Sequence, residues 1–197
     1  MGSHLSQSIT LEDVWIEKVL YDATAKSYLR HSGHYLQNPP PGAFFAVGVG
    51  MIRDLGLLGV PTRDPQLRGL CLFGRPVAPR LPQDGTFAEV TRMVLDAGLP
   101  YGLASSVLMF GLDLACDRGV KTVIAYHDRS RHTGCIYKKA GFKRDGIKKA
   151  NDGTWGNRPG REQSAEAGQT SKRRWRVELP PVLELRSGNR FSPGGNE

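Results

Sequence analysis

The chain of 197 residues is 39% hydrophobic and 23% charged, a balance that argues against a disordered chain and favours one packed domain. No segment approaches the roughly 20 apolar residues that cross a bilayer, and the first residues lack the apolar run of a signal peptide, so the sequence predicts a soluble protein of the cytoplasm. Lys and Arg outnumber Asp and Glu by 27 to 19, and the resulting net charge of +8 favours a polyanionic partner.

Short elements separated by Gly and Pro fill the first part of the chain. Asp22 is a candidate N-cap for one or two helical turns within residues 21–36. Two apolar segments bounded by glycine, 42–50 and 67–74, are typical of strands. In residues 87–96 Ala88, Val90, Arg92 and Val94 alternate with Glu89, Thr91, Met93 and Leu95. Both sets contain apolar residues, which predicts a strand with both faces partly buried.

In the 87–96 strand, strict alternation places Val90 and Arg92 on one face.

Residues 101–119 carry apolar side chains on one side of a predicted helix that ends at Gly119.

A β-branched strand at 120–128 and a short helix at 132–142 come next. Residues 148–170 are predicted to form a loop, and 171–179 a last strand. A strand–helix–strand unit with short connections must pass its helix over the sheet. The sequence therefore predicts an α/β domain with a parallel or mixed sheet.

The most specific motif is IYKKAGF, a short helix that follows a strand and bears Tyr137. It resembles the fourth helix of the GNAT acyltransferase superfamily, whose fold is a mixed β-sheet flanked by helices. There the tyrosine donates a proton or hydrogen bond to the thiolate that leaves acyl-CoA, a role that suits a weak acid with a pKa of about 10. The resemblance implies this catalytic role for Tyr137, and packing is the alternative.

Two polar residues of the 87–96 strand are further candidates. GNAT enzymes often place a carboxylate base on this strand, which implies that role for Glu89, with a structural ion pair as the alternative. Arg92 is costly to bury alone, so it either reaches a ligand phosphate or pairs with an acid. The next helix normally begins at a loop whose N–H groups hold the CoA pyrophosphate. The resemblance implies cofactor contacts from Gly102, Ser105, Ser106 and Arg92.

The segment GLPYGLASS at 98–106 lacks the usual basic residue followed by alternating glycines, which points to a narrower branch. FAEVTRMVLD, the strand end at Tyr126 and Asp128, HTGCIYKKAGF and SKRRW together resemble the bacteriophage Mom family. Mom proteins have a GNAT-like core and add a small amide-bearing group to the exocyclic amine of adenine in DNA. The resemblance covers residues 28–178. The Mom pattern maps onto His34, Tyr35, Arg92, Ser105, Asp128, His132 and Tyr137.

The Mom resemblance also implies a metal site. His34, Tyr35 and Asp128 are candidate ligands for iron, and His132 is a further site member. Asp128 is in addition a candidate catalytic residue, because open α/β sheets bind ligands at strand ends, with helix capping as its alternative. His127 is interpreted as a solvated loop residue. The three cysteines form no CxxC pair, so we expect reduced and mostly buried thiols.

The basic surplus is concentrated in residues 138–176, which hold twelve Lys and Arg against four Asp and Glu. Aromatic residues lie among them, and stacking on an extruded base together with phosphate neutralisation uses such a mixture. The segment therefore predicts a DNA-binding surface, with a solvated face as the alternative and packing as the role of Trp175. Its candidate residues are Lys138, Lys139, Lys143, Arg144, Lys148, Lys149, Trp155, Arg158, Arg161, Lys172, Arg173 and Arg174.

These features predict a GNAT-like transferase domain over residues 9–179 and a Pro- and Gly-rich tail at 180–197. The resemblance implies modification of adenine in DNA, which protects phage DNA from restriction in the host cytoplasm, with DNA and a small-molecule group donor as partners. An acyl-CoA or a related acyl donor is a candidate, as is iron. Two alternatives stay open: an acyl-CoA-dependent N-acetyltransferase acting on a small-molecule or protein amine, and a non-catalytic DNA-binding module.

Overall fold

The structure is a computed structural model that describes residues 9–34, 36, 38–54, 61–148 and 170–181. After a 3₁₀ turn at Leu11–Asp13, the elements in chain order are β1 (Val14–Val19), α1 (Ala23–His31), β2 (Phe45–Asp54), β3 (Pro61–Arg63), β4 (Gly69–Gly74), β5 (Phe87–Leu95), α2 (Leu103–Asp117), β6 (Thr122–Asp128), α3 (Cys135–Lys139), β7 (Lys143–Lys148) and β8 (Lys172–Glu178).

Seven strands form one mixed sheet in the order β1-β2-β4-β5-β6-β8-β7, and β3 pairs with the far end of β2. The first four strands are antiparallel neighbours, β5 and β6 are parallel, and β8 returns antiparallel between β6 and β7. Because α2 connects the parallel pair, it crosses one face of the sheet. The predicted α/β class with a mixed sheet flanked by helices is confirmed.

The two faces of the sheet are covered by different helices. On one face α2 buries Leu103, Val107 and Leu108 in the larger apolar cluster, and each such side chain contributes about 1.5–3 kcal/mol. Gly111 lets α2 approach closely, since a Cβ there would lie 2.2 Å from the ring of Phe73. On the other face α1 packs a smaller apolar cluster, formed by Ala25, Leu29, Ala46, Leu70, Leu72 and Val94.

Local signals set the predicted helix ends. The Asp22 carboxylate accepts hydrogen bonds from the N–H groups of Thr24 and Ala25, so it is the N-cap of α1 as predicted. Gly119 and Gly141 have φ of +78° and +85°, the left-handed conformation that ends α2 and α3.

A bulge in β5 changes which side chains share a face. Leu72 of β4 pairs with Arg92 and Phe73 pairs with Val90, so Thr91 is the extra residue. One extra residue reverses the alternation that follows it. Arg92 therefore lies on the α1 face with Glu89, and the predicted pairing of Val90 with Arg92 on one face is wrong.

The parallel strands β5 and β6 diverge. Their ladder runs from Phe87 opposite Thr122 to Val90 opposite Ala125. Both strands continue beyond it, β5 to Leu95 and β6 to Asp128. A wedge-shaped opening in the middle of the sheet follows from this divergence.

The sequence also made predictions about membrane spans, the cysteines, the 148–170 loop and the tail. Within the described ranges, no helix is long and apolar enough to cross a membrane. Cys71 and Cys116 are buried free thiols, as expected, whereas the free Cys135 is exposed. The predicted 148–170 loop and the tail lie mostly outside the described residues.

Candidate active site

Three adjoining cavities line the opening between β5 and β6. The inner cavity, of about 60 Å³, lies between residues 90–93 and 126–128. The middle cavity, of about 160 Å³, lies between Met93 and the start of α3. The outer cavity, of about 230 Å³, lies between residues 99–105 and α3. Because neighbouring cavities share lining residues, they form one furrow from the start of α2 to the end of β6.

The inner cavity gathers most of the residues that the Mom pattern predicted. Its lining includes His34, Arg92, Asp128, His132 and Tyr137. Ser105 lines the outer cavity instead, and Tyr35 lies outside the described residues. The Mom pattern thus selected side chains that lie up to 103 positions apart in the chain and that the structure places around one cavity.

Asp128 holds the turn that follows β6. One carboxylate oxygen accepts hydrogen bonds from the backbone N–H and hydroxyl of Ser130, at 2.9 and 2.6 Å, and the other accepts one from Thr170 at 2.7 Å. Arg131 forms an ion pair with it at 3.6 Å. Burial acts to raise the pKa of Asp128, but these hydrogen bonds and Arg131 outweigh it and lower the pKa to about 2. Asp128 is therefore an ionised anchor whose oxygens are engaged by the protein.

The described residues give no support to the predicted iron site. Among them, no group of three or more His, Cys, Asp and Glu side chains is arranged to hold a metal ion. His34 accepts a hydrogen bond from the Leu36 N–H through Nδ1, and the oxygens of Asp128 are engaged as described above.

His127 is buried, and its interpretation as a solvated loop residue is wrong. Its exposed fraction is 5%, and Nδ1 accepts a 2.6 Å hydrogen bond from the indole N–H of Trp175. The side chain follows Val123 and Ala125 at period two, so it turns into the apolar face of β6 and not into solvent. Burial lowers the pKa of His127, which keeps the imidazole neutral at neutral pH.

Tyr137 lies against His127 and Trp175 and lines both the inner and the middle cavity. Its ring stacks on those of Trp175 and His127 at centroid distances of 5.7 and 6.1 Å, and its exposed fraction is 6%. Gly134 makes this packing possible, because a Cβ there would lie 2.6 Å from the His127 ring. Tyr137 thus combines the packing role with a position on the furrow.

Glu89 is a buried carboxylate beside the opening, on the α1 face. Its Oε2 accepts a 2.9 Å hydrogen bond from the Val77 N–H. Burial raises the pKa of Glu89 above its usual value, although Lys148, Arg92 and Lys172 act in the opposite direction. A carboxylate whose pKa is raised towards neutrality is a better proton acceptor than an exposed one.

Arg92 extends into the inner cavity. Its guanidinium donates hydrogen bonds to the carbonyls of Thr91 at 2.7 Å and Asn38 at 3.3 Å. It lies on the α1 face, away from the start of α2 where a CoA pyrophosphate is expected. The structure therefore separates Arg92 from the other predicted cofactor contacts.

The start of α2 and the end of α3 form the outer cavity. Gly102 is the N-cap of α2, with φ of +91°, and the hydroxyls of Ser105 and Ser106 donate to its carbonyl at 2.8 and 3.5 Å. Lys139 was predicted to contact nucleic acid, but it lines this cavity, with Nζ 2.9 Å from the Tyr101 hydroxyl. The positive end of the α2 dipole and the Lys139 ammonium thus lie at one point.

The other predicted nucleic-acid contacts lie on α3 and on the β7–β8 ribbon, the two-stranded sheet edge formed by residues 143–148 and 172–178. Directly opposite residues include Lys148 with Lys172 and Lys143 with Arg176. Arg174 forms an ion pair with Asp145 at 2.8 Å. Lys149, Trp155, Arg158 and Arg161 lie outside the described residues.

The solved structures to which this chain is similar include acetyltransferases. The ribosomal-protein-S18-alanine N-acetyltransferase from Escherichia coli is 12% identical, with 84% of this chain and 93% of that chain covered and a TM-score of 0.53. A Bacillus subtilis acetyltransferase in complex with CoA is 12% identical, covering 85% of this chain and 99% of that chain, with a TM-score of 0.54. A GNAT family acetyltransferase from Elizabethkingia anophelis with acetyl-CoA bound is 14% identical, covering 85% and 99%, with a TM-score of 0.52.

The chain has the GNAT acetyltransferase fold. No protein-family model matches its sequence, and no curated protein does. At identities of 12–14% the similarity establishes the GNAT fold and not the reaction, and it gives no support to the Mom family in particular.

Proposed function

We propose that the chain is an acyl-CoA-dependent N-acyltransferase whose donor lies along the furrow. The observation that carries this proposal is the divergence of β5 and β6 over cavities that run from the α2 N-terminus to Tyr137, in a chain with the GNAT fold. Two of the similar structures hold CoA or acetyl-CoA, which supports the same donor here.

The outer cavity suits the phosphate end of the donor. Backbone N–H groups at the start of α2 and the ammonium of Lys139 attract an anion there. The middle cavity, lined by Met93 and Ile136, suits the apolar part of the pantetheine arm. The thioester then reaches the inner cavity, where Tyr137 lies.

Tyr137, on the furrow, and Glu89, beside it, account for the protons of the transfer, and exchange with solvent restores both groups after each turnover. The acceptor amine attacks the thioester carbonyl carbon, the C–S bond breaks, and the thiolate takes a proton from the Tyr137 hydroxyl. The amine proton passes to Glu89 through water, because Glu89 lies beside the inner cavity and does not line it. Backbone N–H groups of β5 beyond the β5–β6 ladder stabilise the negative charge on the carbonyl oxygen.

In this proposal Asp128 and His132 shape the inner cavity and take no part in the bond changes. Asp128 fixes the turn after β6, and the His132 N–H donates to the Asp128 carbonyl at 3.0 Å, which places the imidazole at the inner cavity. Arg92 and His34 line the same cavity, and the proposal places the acceptor beside them.

Donor binding is tested by a pair of neighbouring lysines on α3. Titration calorimetry is expected to detect acetyl-CoA binding by the wild type. Lys139→Glu is expected to weaken it about tenfold or more, because it reverses a charge at the phosphate site. Lys138→Glu is the matched control, since Lys138 is exposed on the same helix but does not line the outer cavity. Equal effects of the two substitutions, or no binding by the wild type, would contradict the proposal.

A second candidate acceptor, an amine of nucleic acid, is favoured by the β7–β8 ribbon. Like charges directly opposite on neighbouring strands are destabilising, and the ribbon has two such pairs, Lys148 with Lys172 and Lys143 with Arg176. Burial and the nearby Lys148 lower the pKa of Lys172. A polyanion bound across the ribbon would offset this repulsion. Modification of DNA adenine, as in Mom proteins, is the specific form of this candidate.

Salt-dependent DNA binding tests the second candidate. Affinity for single- and double-stranded DNA is expected to fall steeply with salt concentration, because bound phosphates release counterions. The double variant Lys148→Gln/Lys172→Gln is expected to reduce the slope of log K against log salt by about two on duplex DNA. Lys18→Gln/Lys121→Gln removes the same charge elsewhere and is expected to leave most of that slope. Filter binding that shows no affinity at low salt, or equal slopes for the two variants, would argue against a nucleic-acid acceptor.

A further inference from the structure

His127 is a buried imidazole at the transfer centre to which the proposed mechanism gives no role. It lines both the inner and the middle cavity, and its ring lies nearly parallel to that of Tyr137, with an interplanar angle of 17°. Burying a polar ring costs free energy unless its nitrogens are used. One of them, Nδ1, bonds Trp175, and Nε2 is the second nitrogen of the ring.

The partner of Nδ1 fixes where the imidazole carries its proton. An indole N–H can only donate, so Nδ1 of His127 must be the acceptor in the 2.6 Å hydrogen bond from Trp175. The proton of the neutral ring is then on Nε2. Burial, together with the nearby His132, Arg173 and Arg129, lowers the pKa of His127 and so opposes protonation of Nδ1, while Asp128 favours it. His127 is therefore a neutral hydrogen-bond donor through Nε2.

His127 borders the furrow. It lies on the face of β6 that carries Val123 and Ala125, its ring packs against that of Trp175 at a centroid distance of 5.8 Å, and it lines the inner and middle cavities. Tyr137 lines the same two cavities, so the two side chains bound one small volume from neighbouring elements. In the proposed reaction that volume receives the sulfur of the donor.

We propose that His127 donates its Nε2–H to the sulfur of the departing CoA thiolate, and that Trp175 is the positioning residue that fixes this tautomer. The inference rests on the proposed acyl transfer. His127 keeps its proton throughout: the electron pair of the breaking C–S bond goes to sulfur, Tyr137 supplies the proton that yields the thiol, and His127 stabilises the thiolate while it lasts. A donor held in place by a buried neighbour needs little reorganisation as the charge develops.

The acid–base titration of bound CoA tests this without knowledge of the acceptor. The ultraviolet absorbance of the thiolate reports the pKa of the CoA thiol on the protein, and the wild type is expected to lower it. His127→Phe is expected to raise that pKa by about one unit or more, because the donor is lost. His127→Gln, whose amide N–H lies near the position of Nε2, is expected to retain most of the wild-type effect. Trp175→Phe is expected to fall between them.

A matched control separates this effect from a general loss of stability. Trp15→Phe removes another indole donor. Trp15 lies on β1 and donates to the Asp64 carbonyl at 3.1 Å, so this variant is expected to leave the pKa of the bound CoA thiol unchanged. In the unmodified protein, long-range ¹H–¹⁵N spectra of histidine are expected to show His127 as the Nε2–H tautomer through neutral pH. This measurement stands even where His127→Phe fails to fold.

The outcomes distinguish the inference from the function on which it rests. If neither CoA nor acetyl-CoA binds the wild type, the proposed function is overturned and the inference with it. If CoA binds but His127→Phe and His127→Gln leave the bound thiol as in the wild type, or the spectra show an Nδ1–H or doubly protonated ring, His127 is not the donor and the acyl-transfer proposal stands.

Discussion

Replacing Tyr137 by phenylalanine is expected to reduce acyl transfer by about a hundredfold or more while the protein stays folded. A loss of this size is in the range that general acid catalysis supplies. The substitution removes one hydroxyl and keeps the ring, so the stacking with Trp175 and His127 and the edge contact with Phe142 persist. A purely structural tyrosine would lose little by the same change.

The measurement is the release of free CoA from acetyl-CoA in the presence of a panel of small-molecule amines, peptides and DNA. Tyr21→Phe is the matched control. It deletes a hydroxyl that donates to the Pro40 carbonyl at 2.7 Å, and Tyr21 lines none of the three cavities, so its turnover is expected to match that of the wild type. Tyr126 also lines the inner cavity, and burial raises its pKa. Activity that survives Tyr137→Phe and is lost in Tyr126→Phe would transfer the acid role to Tyr126.

Much of the fold could be predicted because its signals are local. Asp22, Gly119 and Gly141 determine helix ends through their own hydrogen bonds and φ angles, and the strand–helix–strand order implies a parallel or mixed sheet. The strands β1 and β3 were not predicted: β3 is only three residues long, and β1 is an edge strand with mixed burial. The bulge at Thr91 was not predictable, since it exists only in the register between β4 and β5.

The candidate site was likewise predictable from the sequence only in part. Family resemblance selected Tyr137, His34 and Asp128, and the structure brings all three to the inner cavity. The burial of His127 follows from the two-residue period that begins with Val123 and Ala125, a signal that the sequence did contain. The hydrogen bond from Trp175 to His127 could not be predicted in this way. It depends on the pairing of β6 with β8, in which Trp175 is opposite Ala125.

Glu89→Gln is expected to reduce transfer by about a hundredfold and, at the same time, to increase the free energy of unfolding at neutral pH. The two effects have one cause. Burial raises the pKa of Glu89, so the ionised carboxylate that accepts the amine proton is less favourable in the folded protein than in the unfolded chain. Glutamine keeps an oxygen for the Val77 N–H and removes the buried charge.

The sign of the pH dependence follows from the raised pKa. The folded state binds the Glu89 proton more tightly than the unfolded state, so the wild type gains stability from this group as pH falls through the folded pKa towards the unfolded value. The stability advantage of Glu89→Gln should therefore shrink over that window, as measured by urea unfolding at several pH values. Turnover of the wild type should rise with pH across the same window.

Glu178→Gln is a control of opposite sign. Burial acts to raise the pKa of Glu178, but hydrogen bonds from Thr122 and Arg176 outweigh it and lower the pKa. This variant should therefore lose stability at neutral pH. A Glu89→Gln protein that is less stable than the wild type at neutral pH, or that transfers acyl groups at the wild-type rate, would remove Glu89 from the role of base.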